Sequence, residues 1–432
     1  MKVMIVGGGG REHAILEKLR ENPRIEKFYA LPGNGGMAAH AECVPIRATD
    51  IDGIVEFAIE HAIDFAVIGP DDPLIAGVCD RLRAVGIRCF GPGKAAAAIE
   101  GSKSFAKNLM RKYGIPTADY AVFDRAQDAY AYLAGANYPL VIKADGPALG
   151  KGVVIVQTRE EALQTVRSMM EEGVFGTSGS RVVVEEFLTG NEVSVLAFTD
   201  GTTLIPMISA LDHKRALDGD RGPNTGGMGA LAPNPFYSVE MAYRCMELIF
   251  LPTLRAMREE GRPFSGCLYF GLMLTPNGPK VIEYNCRFGD PETQVVLPLL
   301  ETDLLDIMLA IDENRLAEVP VRFRGGSACC VVLASEGYPG KYRTGYEISL
   351  GDAARAENVF VYHAGTKLEQ GRLVTAGGRV LGVTALGCDA SSARYAAYAA
   401  AGRIHFEHAF CRRDIGARAI ATAEQGEKQI DG

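Results

Sequence analysis

Val281-Ile282-Glu283-Tyr284-Asn285-Cys286-Arg287-Phe288-Gly289-Asp290-Pro291-Glu292-Thr293-Gln294 decides how the rest of the chain is read. Val281, Ile282 and Tyr284 favour a strand. Glu283 and Asn285 are two residues apart, so a strand points both to one face. A carboxylate and an amide carbonyl are hard oxygen ligands of the kind Mg²⁺ takes when phosphates supply the rest. Arg287 continues the alternation and adds a fixed cation, and Gly289-Asp290-Pro291 turns the chain away. Carboxylate, amide and guanidinium on one face form an electrostatic clamp for a phosphoryl group in transfer. A polar strand end closed by one salt bridge would carry the same residues, so support must come from outside the stretch.

The preceding segments supply it. Gly101-Ser102-Lys103 opens a helix expected over Ser104–Tyr113, and a cation at a helix start is easier to justify when it meets an anion. Lys143 ends the apolar strand 138–143, where burial without a partner is costly. Asp145-Gly146-Pro147-Ala148-Leu149-Gly150-Lys151-Gly152 then joins that strand to Val153–Val156. Strand, glycine loop and strand predict a hairpin flap whose N–H groups and Lys151 cover phosphates; spacing and context exclude a Walker loop. A strand from Arg181 runs into Thr189-Gly190-Asn191, a hinge whose backbone can read an adenine edge, with Glu192 able to hold ribose hydroxyls. Asp212-His213-Lys214-Arg215 is a charge cluster in which His213 supports its neighbours. Residues 222–229, GPNTGGMG, are too glycine-dense for regular structure and read as a substrate loop.

The first hundred residues alternate strands (Lys2–Val6, Phe28–Leu31, Phe65–Ile68, Cys89-Phe90) with helices, which predicts a doubly wound parallel sheet. Its ligand loops are the Gly/Pro segments at the strand ends. A dinucleotide fingerprint fails: neither register of Gly7–Gly10 reaches a third glycine, and the second strand ends without an acid. The loop remains a phosphate site for a small sugar phosphate; a tight strand–helix turn is the plain alternative. His13 reads as a local hydrogen-bonding residue.

At 432 residues, 47% of them apolar, the chain should form several domains. A net charge of −8 without a basic block excludes nucleic acid as the main ligand and an anionic membrane as a docking surface. The N-terminus begins a strand, not a signal peptide, and no apolar run reaches membrane length. The ten cysteines show no zinc spacing and read as small core residues of a protein in a reduced, cytoplasmic compartment. Strands at 325–334, 359–363, 379–385 and at Ile404, with a helix over 391–401, predict a mixed α/β cap, and Glu424–Gly432 a frayed tail.

Read in order, GGGREHA (8–14), PGN (32–34), EGSK (100–103), IPTA (115–118), IKADG (142–146), GKGV (150–153), EEFL (185–188), DHKR (212–215), GPNTGGMGA (222–230), IEYNCRFGDPETQ (282–294), YPG (338–340) and HAGTK (363–367) resemble the ATP-grasp superfamily. Within it they are similar to the phosphoribosylamine–glycine ligase (glycinamide ribonucleotide synthetase) family over nearly the whole chain. RRDIG (412–416) matches that family's closing motif without an evident role. Gly8 stands where the family more often has Asn or Ser, and Pro147 departs from its usual flap.

The resemblance implies an ATP-grasp fold of four parts: 1–101, an N-terminal Rossmann-like domain; 102–191, a mobile ATP lid; 192–324, a central catalytic domain; and 325–432, a C-terminal α/β cap. Lys103, Lys143, Gly150, Lys151 and Gly152 would hold ATP phosphates, Glu185, Phe187 and Leu188 would frame adenine, and Glu192 would hold ribose. Glu283 and Asn285 would bind Mg²⁺ or Mn²⁺. Gly9, Gly10, Arg11, Glu12, Pro32, Gly33, Asn34, Gly69, Pro70 and Asp71 would bind the ribosyl phosphate. Asp212, Lys214 and Arg215 would face glycine and the amine, beside Gly226, Gly227, Met228 and Gly229. Arg287, Lys143, Asp212 and Lys214 would be catalytic.

The implied reaction joins glycine to 5-phosphoribosylamine with ATP, through a glycyl phosphate, in purine biosynthesis. A free carboxylate has no leaving group, whereas an acyl phosphate loses phosphate, and its tetrahedral oxyanion would meet Arg287. The partners implied are small molecules only, with a monomer or weak dimer and a transient handover from the upstream amidotransferase left open. Another ATP-grasp carboxylate–amine ligase, or a non-catalytic nucleotide- or phosphosugar-binding regulator on the same fold, are the competing readings.

Overall fold

The computed structural model describes residues 1–148 and 152–430. Its N-terminal sheet is wholly parallel, ordered Glu42–Cys43, Lys27–Pro32, Lys2–Gly7, Phe65–Ile68, Arg88–Phe90. Val3, Met4, Ile5 and Val6 are all buried, because helices and the neighbouring domain cover both faces of such a sheet. The loops after Lys2–Gly7 and Lys27–Pro32 touch: a Cβ on Gly8 would lie 2.3 Å from the Gly33 carbonyl oxygen. Glycine at position 8 therefore permits an approach that a larger residue would prevent.

Two antiparallel four-stranded sheets follow. The first, ordered Tyr120–Phe123, Val182–Glu186, Leu140–Ala144, Val153–Val156, carries its own small core with helices Ala126–Ala134 and Arg159–Val166. The second, ordered Leu204–Pro206, Asn191–Thr199, Gly266–Thr275, Gly278–Asn285, shares two continuous cores with the N-terminal sheet. A separately packed sheet can move against a fused body without opening that body's core.

The last large sheet is antiparallel along the order Leu211–Asp212, Gly229–Ala232, Ser327–Ser335, Arg379–Gly387, Val359–His363, with Ala409–Phe410 also on Ser327–Ser335. It thus recruits two strands from within 192–324. Four expectations are corrected. Residues 222–229 are not all loop: Arg221–Asn224 pairs with Arg215–Leu217 as a hairpin and Gly229 starts a strand, because Gly222 and Gly229 take positive φ and let the chain turn into both. Ile404 is outside any strand; the neighbouring His405 forms an isolated bridge to Ser349. The segment 424–430 of the expected tail continues helix Ala417–Ile430, and residues 431–432 lie outside the described residues. The strand through Glu283 ends at Asn285, so Arg287 lies on the following turn. Seven of the ten cysteines are buried. Among the described residues no helix is long and apolar enough to cross a membrane.

The N-terminal and C-terminal parts are joined by histidines. His363 N donates to His13 Nδ1 at 2.7 Å, and Asn34 Nδ2 donates to the Gly8 and His363 carbonyls at 3.0 and 2.8 Å. Burial pushes His363 down to about 3; burial, with Arg412 nearby, pushes His213 down to about 4. Both are neutral in the fold but charge near pH 6.5 in the unfolded chain, which therefore binds more protons between those limits. Stability falls as pH drops below about 6.5, each histidine contributing up to ~1.4 kcal/mol per pH unit. Urea unfolding at pH 7.5, 5.5 and 4.5 should show a shallower pH dependence for His363→Gln than for the parent; equal slopes would refute this assignment.

Candidate active site

A cavity of about 980 Å³ lies between the separately packed four-stranded sheet, the fused body and the C-terminal sheet. Its floor is the strand Gly278–Asn285. Glu283 Oε1 is 3.2 Å from Lys214 Nζ, and the Lys214 ammonium, with Lys143 and Lys103 behind it, holds the Glu283 carboxyl down at about 2 against burial. Glu283 in turn raises Lys214 well above the usual lysine range. Lys214 also lies 3.8 Å from Glu192.

Asn285 is fixed from behind. With its amide nitrogen donating to Glu100 Oε1 at 2.8 Å, its carbonyl oxygen is the free acceptor. The same Glu100 oxygen lies 3.0 Å from Arg287 Nη2, and Glu100 Oε2 accepts from Cys286 N at 2.6 Å. Glu100 ends helix Lys94–Gly101, so one buried carboxylate orients three consecutive residues of the 285–287 turn. Arg287 Nη1 and Arg11 Nη1 both donate to the Phe288 carbonyl, at 3.3 and 3.1 Å.

Helix Lys103–Lys112 is capped by Ser102, whose Oγ accepts from Phe105 N. Lys103 Nζ donates to the Gly146 carbonyl at 3.3 Å, while the neighbouring Asp145 Oδ1 accepts from Ser104 N at 2.6 Å. Burial lowers Lys103. One turn on, Lys107 Nζ lies 2.8 Å from Glu185 Oε2, while Lys143 Nζ lies 3.0 Å from Glu185 Oε1 and donates to the Ile282 carbonyl at 3.1 Å. All three side chains are at most 5% exposed. The Glu185 carboxylate, expected beside adenine, is spent on two lysines, as a buried charge requires. Phe187, Leu188, Glu192 and Gly152 line the cavity. Lys143 pairs across the hairpin with Val153, and Gly150 and Lys151 of the expected flap lie outside the described residues.

Asp212 faces the same space. Burial first, then the Glu292 carboxylate, pushes its carboxyl well above the usual range, and its Oδ1 is buried without a hydrogen-bond partner. Glu292 Oε1 accepts from Ser194 Oγ at 3.0 Å, which is 2.8 Å from the Tyr269 hydroxyl. Arg379, from the C-terminal sheet, donates to the Gly226 and Asp290 carbonyls at 2.7 and 2.9 Å. A Cβ on Gly227 (φ +113°) would meet Pro291 at 2.4 Å and Asp212 Oδ1 at 2.7 Å, so the loop fits only as glycine.

Arg11, Asp71, Arg215 and Gly226 also line the cavity; Gly9, Gly10, Glu12, Pro32, Gly33, Asn34, Gly69, Pro70, Gly227, Met228 and Gly229 do not. The Glu12 carboxylate is occupied, Oε2 by Gly9 N at 2.6 Å and Oε1 by Arg11 Nε at 2.7 Å. Asn34 spends its oxygen on Gly36 N and Met37 N. Met228 is fully buried in the C-terminal core. Sequence reasoning gave no role to Glu100, Lys107, Glu292 or Arg379. Lys107 alone carried a local signal, being four residues from Lys103 on one helix face.

Among the described residues no cluster of three or more His, Cys, Asp or Glu could cage a metal alone. Glu283 and the free Asn285 oxygen, in a site already shaped around a cation, fit a hard divalent ion that takes its other ligands from phosphates.

Family models of phosphoribosylglycinamide synthetase match in three parts: the N domain over 1–100, the ATP-grasp (A) domain over 101–293 and the C domain over 328–418. A phosphoribosylamine–glycine ligase of Caldanaerobacter subterraneus subsp. tengcongensis is 48% identical over 417 residues, covering 96% of this chain and 100% of that one. One of Agrobacterium fabrum is 49% identical over 421 residues, covering 98% and 99%. The crystal structure of a phosphoribosylamine–glycine ligase from Thermotoga maritima superimposes with a TM-score of 0.83 at 35% identity, covering 96% and 100%. A biotin carboxylase from Campylobacter jejuni, 14% identical with a TM-score of 0.76 over 94% of this chain and 92% of its own, shares the fold.

Proposed function

The chain belongs to the phosphoribosylglycinamide synthetase family, and on that premise we propose that it ligates glycine to 5-phosphoribosylamine at the expense of ATP, giving glycinamide ribonucleotide, ADP and phosphate. The observation that carries the reading is the convergence on one cavity of Glu283, Asn285, Lys103, Lys143, Lys214 and Arg287. Residues 102–191 act as the ATP lid, 1–101 and 192–324 as the body below it, and 325–432 as the cap.

Lys103 and Lys143 bind the nucleotide phosphates; Phe187 and Leu188 pack on adenine, and Glu192 takes the ribose hydroxyls. Lys107 shares the Glu185 carboxylate, so Lys143 is not neutralised by it alone. Glu283 and the Asn285 oxygen would hold Mg²⁺ or Mn²⁺, which neutralises charge on the phosphates in transfer. Arg287 faces the carboxylate of glycine and the phosphoryl group transferred to it, and then the oxyanion formed by amine attack. Asp212, whose Oδ1 is buried without a hydrogen-bond partner, faces the reacting amine. Lys214 orients the carboxylate of glycine. Arg11 and Asp71, at the edge of the N-terminal sheet, face the phosphosugar. Closure of the lid excludes water from the acyl phosphate.

ADP release with Mg²⁺ and ATP should require glycine and freshly generated phosphoribosylamine together, in step with a glycine-containing nucleotide. Turnover with another acid in place of glycine would overturn the substrate, and ATP binding without any turnover would overturn the enzyme.

A further inference from the structure

The closing motif Arg412-Arg413-Asp414-Ile415-Gly416 has no part in the chemistry above, yet it is anchored on one side to helix Ala390–Ala401, through Arg394 and Tyr398, and bonds on the other to the segment that carries Lys214. Arg412 is 2% exposed. Its Nη1 donates to the Arg215 carbonyl at 3.1 Å and to Asp220 Oδ1 at 2.9 Å, while Nε and Nη2 grip the two Asp414 oxygens at 2.8 Å each. Asp414 Oδ2 also accepts from Gly219 N at 2.8 Å, Asp218 Oδ1 accepts from Arg413 N at 2.8 Å, and His213 Nε2 accepts from Gly416 N at 3.0 Å. From the opposite side Thr225 N donates to the Lys214 carbonyl at 2.7 Å and Met228 N to the His213 carbonyl at 2.8 Å.

The gripped element is a two-stranded hairpin, Arg215–Leu217 with Arg221–Asn224, whose Leu217 is 51% exposed. A hairpin of that size is marginal in water unless something else holds it. We propose that Arg412 and Asp414 are positioning residues that fix this hairpin so that Lys214 and Asp212 meet glycine and the amine. The proposal rests on the reading of Lys214 and Asp212 as substrate-facing. A displacement of the order of 1 Å at such groups costs about 100-fold in rate. The ATP lysines, Lys103 and Lys143, belong to other elements and are untouched.

Arg412→Lys keeps the charge but cannot reproduce the fork that reaches Arg215, Asp220 and Asp414 together. The expected result is a fall in kcat/KM for glycine of about 10- to 100-fold, with the Kd for ATP within about twofold of the parent. The double variant Asp218→Asn/Asp220→Asn, at the exposed rim of the clamp, should move the same parameter in the same direction by a smaller factor, and it decides the matter if Arg412→Lys does not fold. Glycine and ATP parameters falling together, or a folded variant that keeps its glycine kcat/KM, would overturn the proposal. Lys214→Met is the control: if it turns over like the parent, the assignment of Lys214 fails, whereas an inactive Lys214→Met beside an unaffected clamp variant sinks only the clamp.

Discussion

Glu283→Gln lowers the rate of ADP formation in the presence of glycine and phosphoribosylamine by about 10³-fold while the protein remains folded. The substitution keeps the shape and one acceptor oxygen but removes the charge. That charge has two tasks in the same place. It is the strongest hard ligand on the strand face, because Asn285 offers only a neutral oxygen. It is also the partner that holds Lys214, 3.2 Å away. Without it a divalent ion at the proposed site would be held by one amide and the nucleotide, so the metal dependence of the rate should shift to higher concentration as well as the maximum falling. Fold stability should change little near neutral pH: Lys214 is about one-third exposed and has Glu192 within 3.8 Å as a second partner. The depressed carboxyl also fixes the pH window. Its contribution is complete above the unfolded value near 4.3 and is lost as pH falls toward about 2. Steady-state rates against metal concentration, with thermal unfolding alongside, test both halves; a variant within threefold of the parent at all metal concentrations would remove Glu283 from the site.

What the sequence revealed and what it hid follow from the range of the interactions. The parallel sheet was legible because Val3–Val6 and Phe65–Ile68 are apolar runs closed by glycine and proline, a local pattern. Glu283 and Asn285 shared a face because strand periodicity is local too. Arg287 did not follow that periodicity: the strand stops at Asn285, and Glu100, from a distant helix of the chain, takes hold of the next residues. Lys143 was legible as a charge that needed a partner, but its partner was not, since Glu185 could serve adenine or lysine and only the fold brings Lys107 to its other oxygen. Arg379 carried no local signal, because its acceptors, Gly226 and Asp290, come from two other segments. The same holds for Arg412, whose acceptors Arg215 and Asp220 lie far back in the chain.

Arg287→Met should cost both activity and stability, and the two losses separate. On the chemical side, under the proposed mechanism, it removes the fixed cation facing the phosphoryl group in transfer, a loss of about 10²- to 10³-fold in kcat. On the structural side it strands Glu100. That side chain is only 10% exposed, and burial already raises its carboxyl pKa against the lowering effect of Arg287. Taking one partner from a buried pair costs about 3 kcal/mol, because the other charge stays behind. Glu100 then either binds a proton or turns away, and in both cases the amide of Asn285 loses the acceptor that sets its orientation. Pairing Arg287→Met with Glu100→Gln distinguishes the effects. The substituted amide is neutral and can still accept from Cys286 N, so the double variant should recover most of the lost stability in urea titration. Activity should not recover, since the cation is still missing. Arg287→Lys, which restores charge without the fork that spans Glu100 and the Phe288 carbonyl, should fall between parent and Arg287→Met in rate. Recovery of both activity and stability in the double variant would mean that Arg287 serves the fold alone and touches no reacting group.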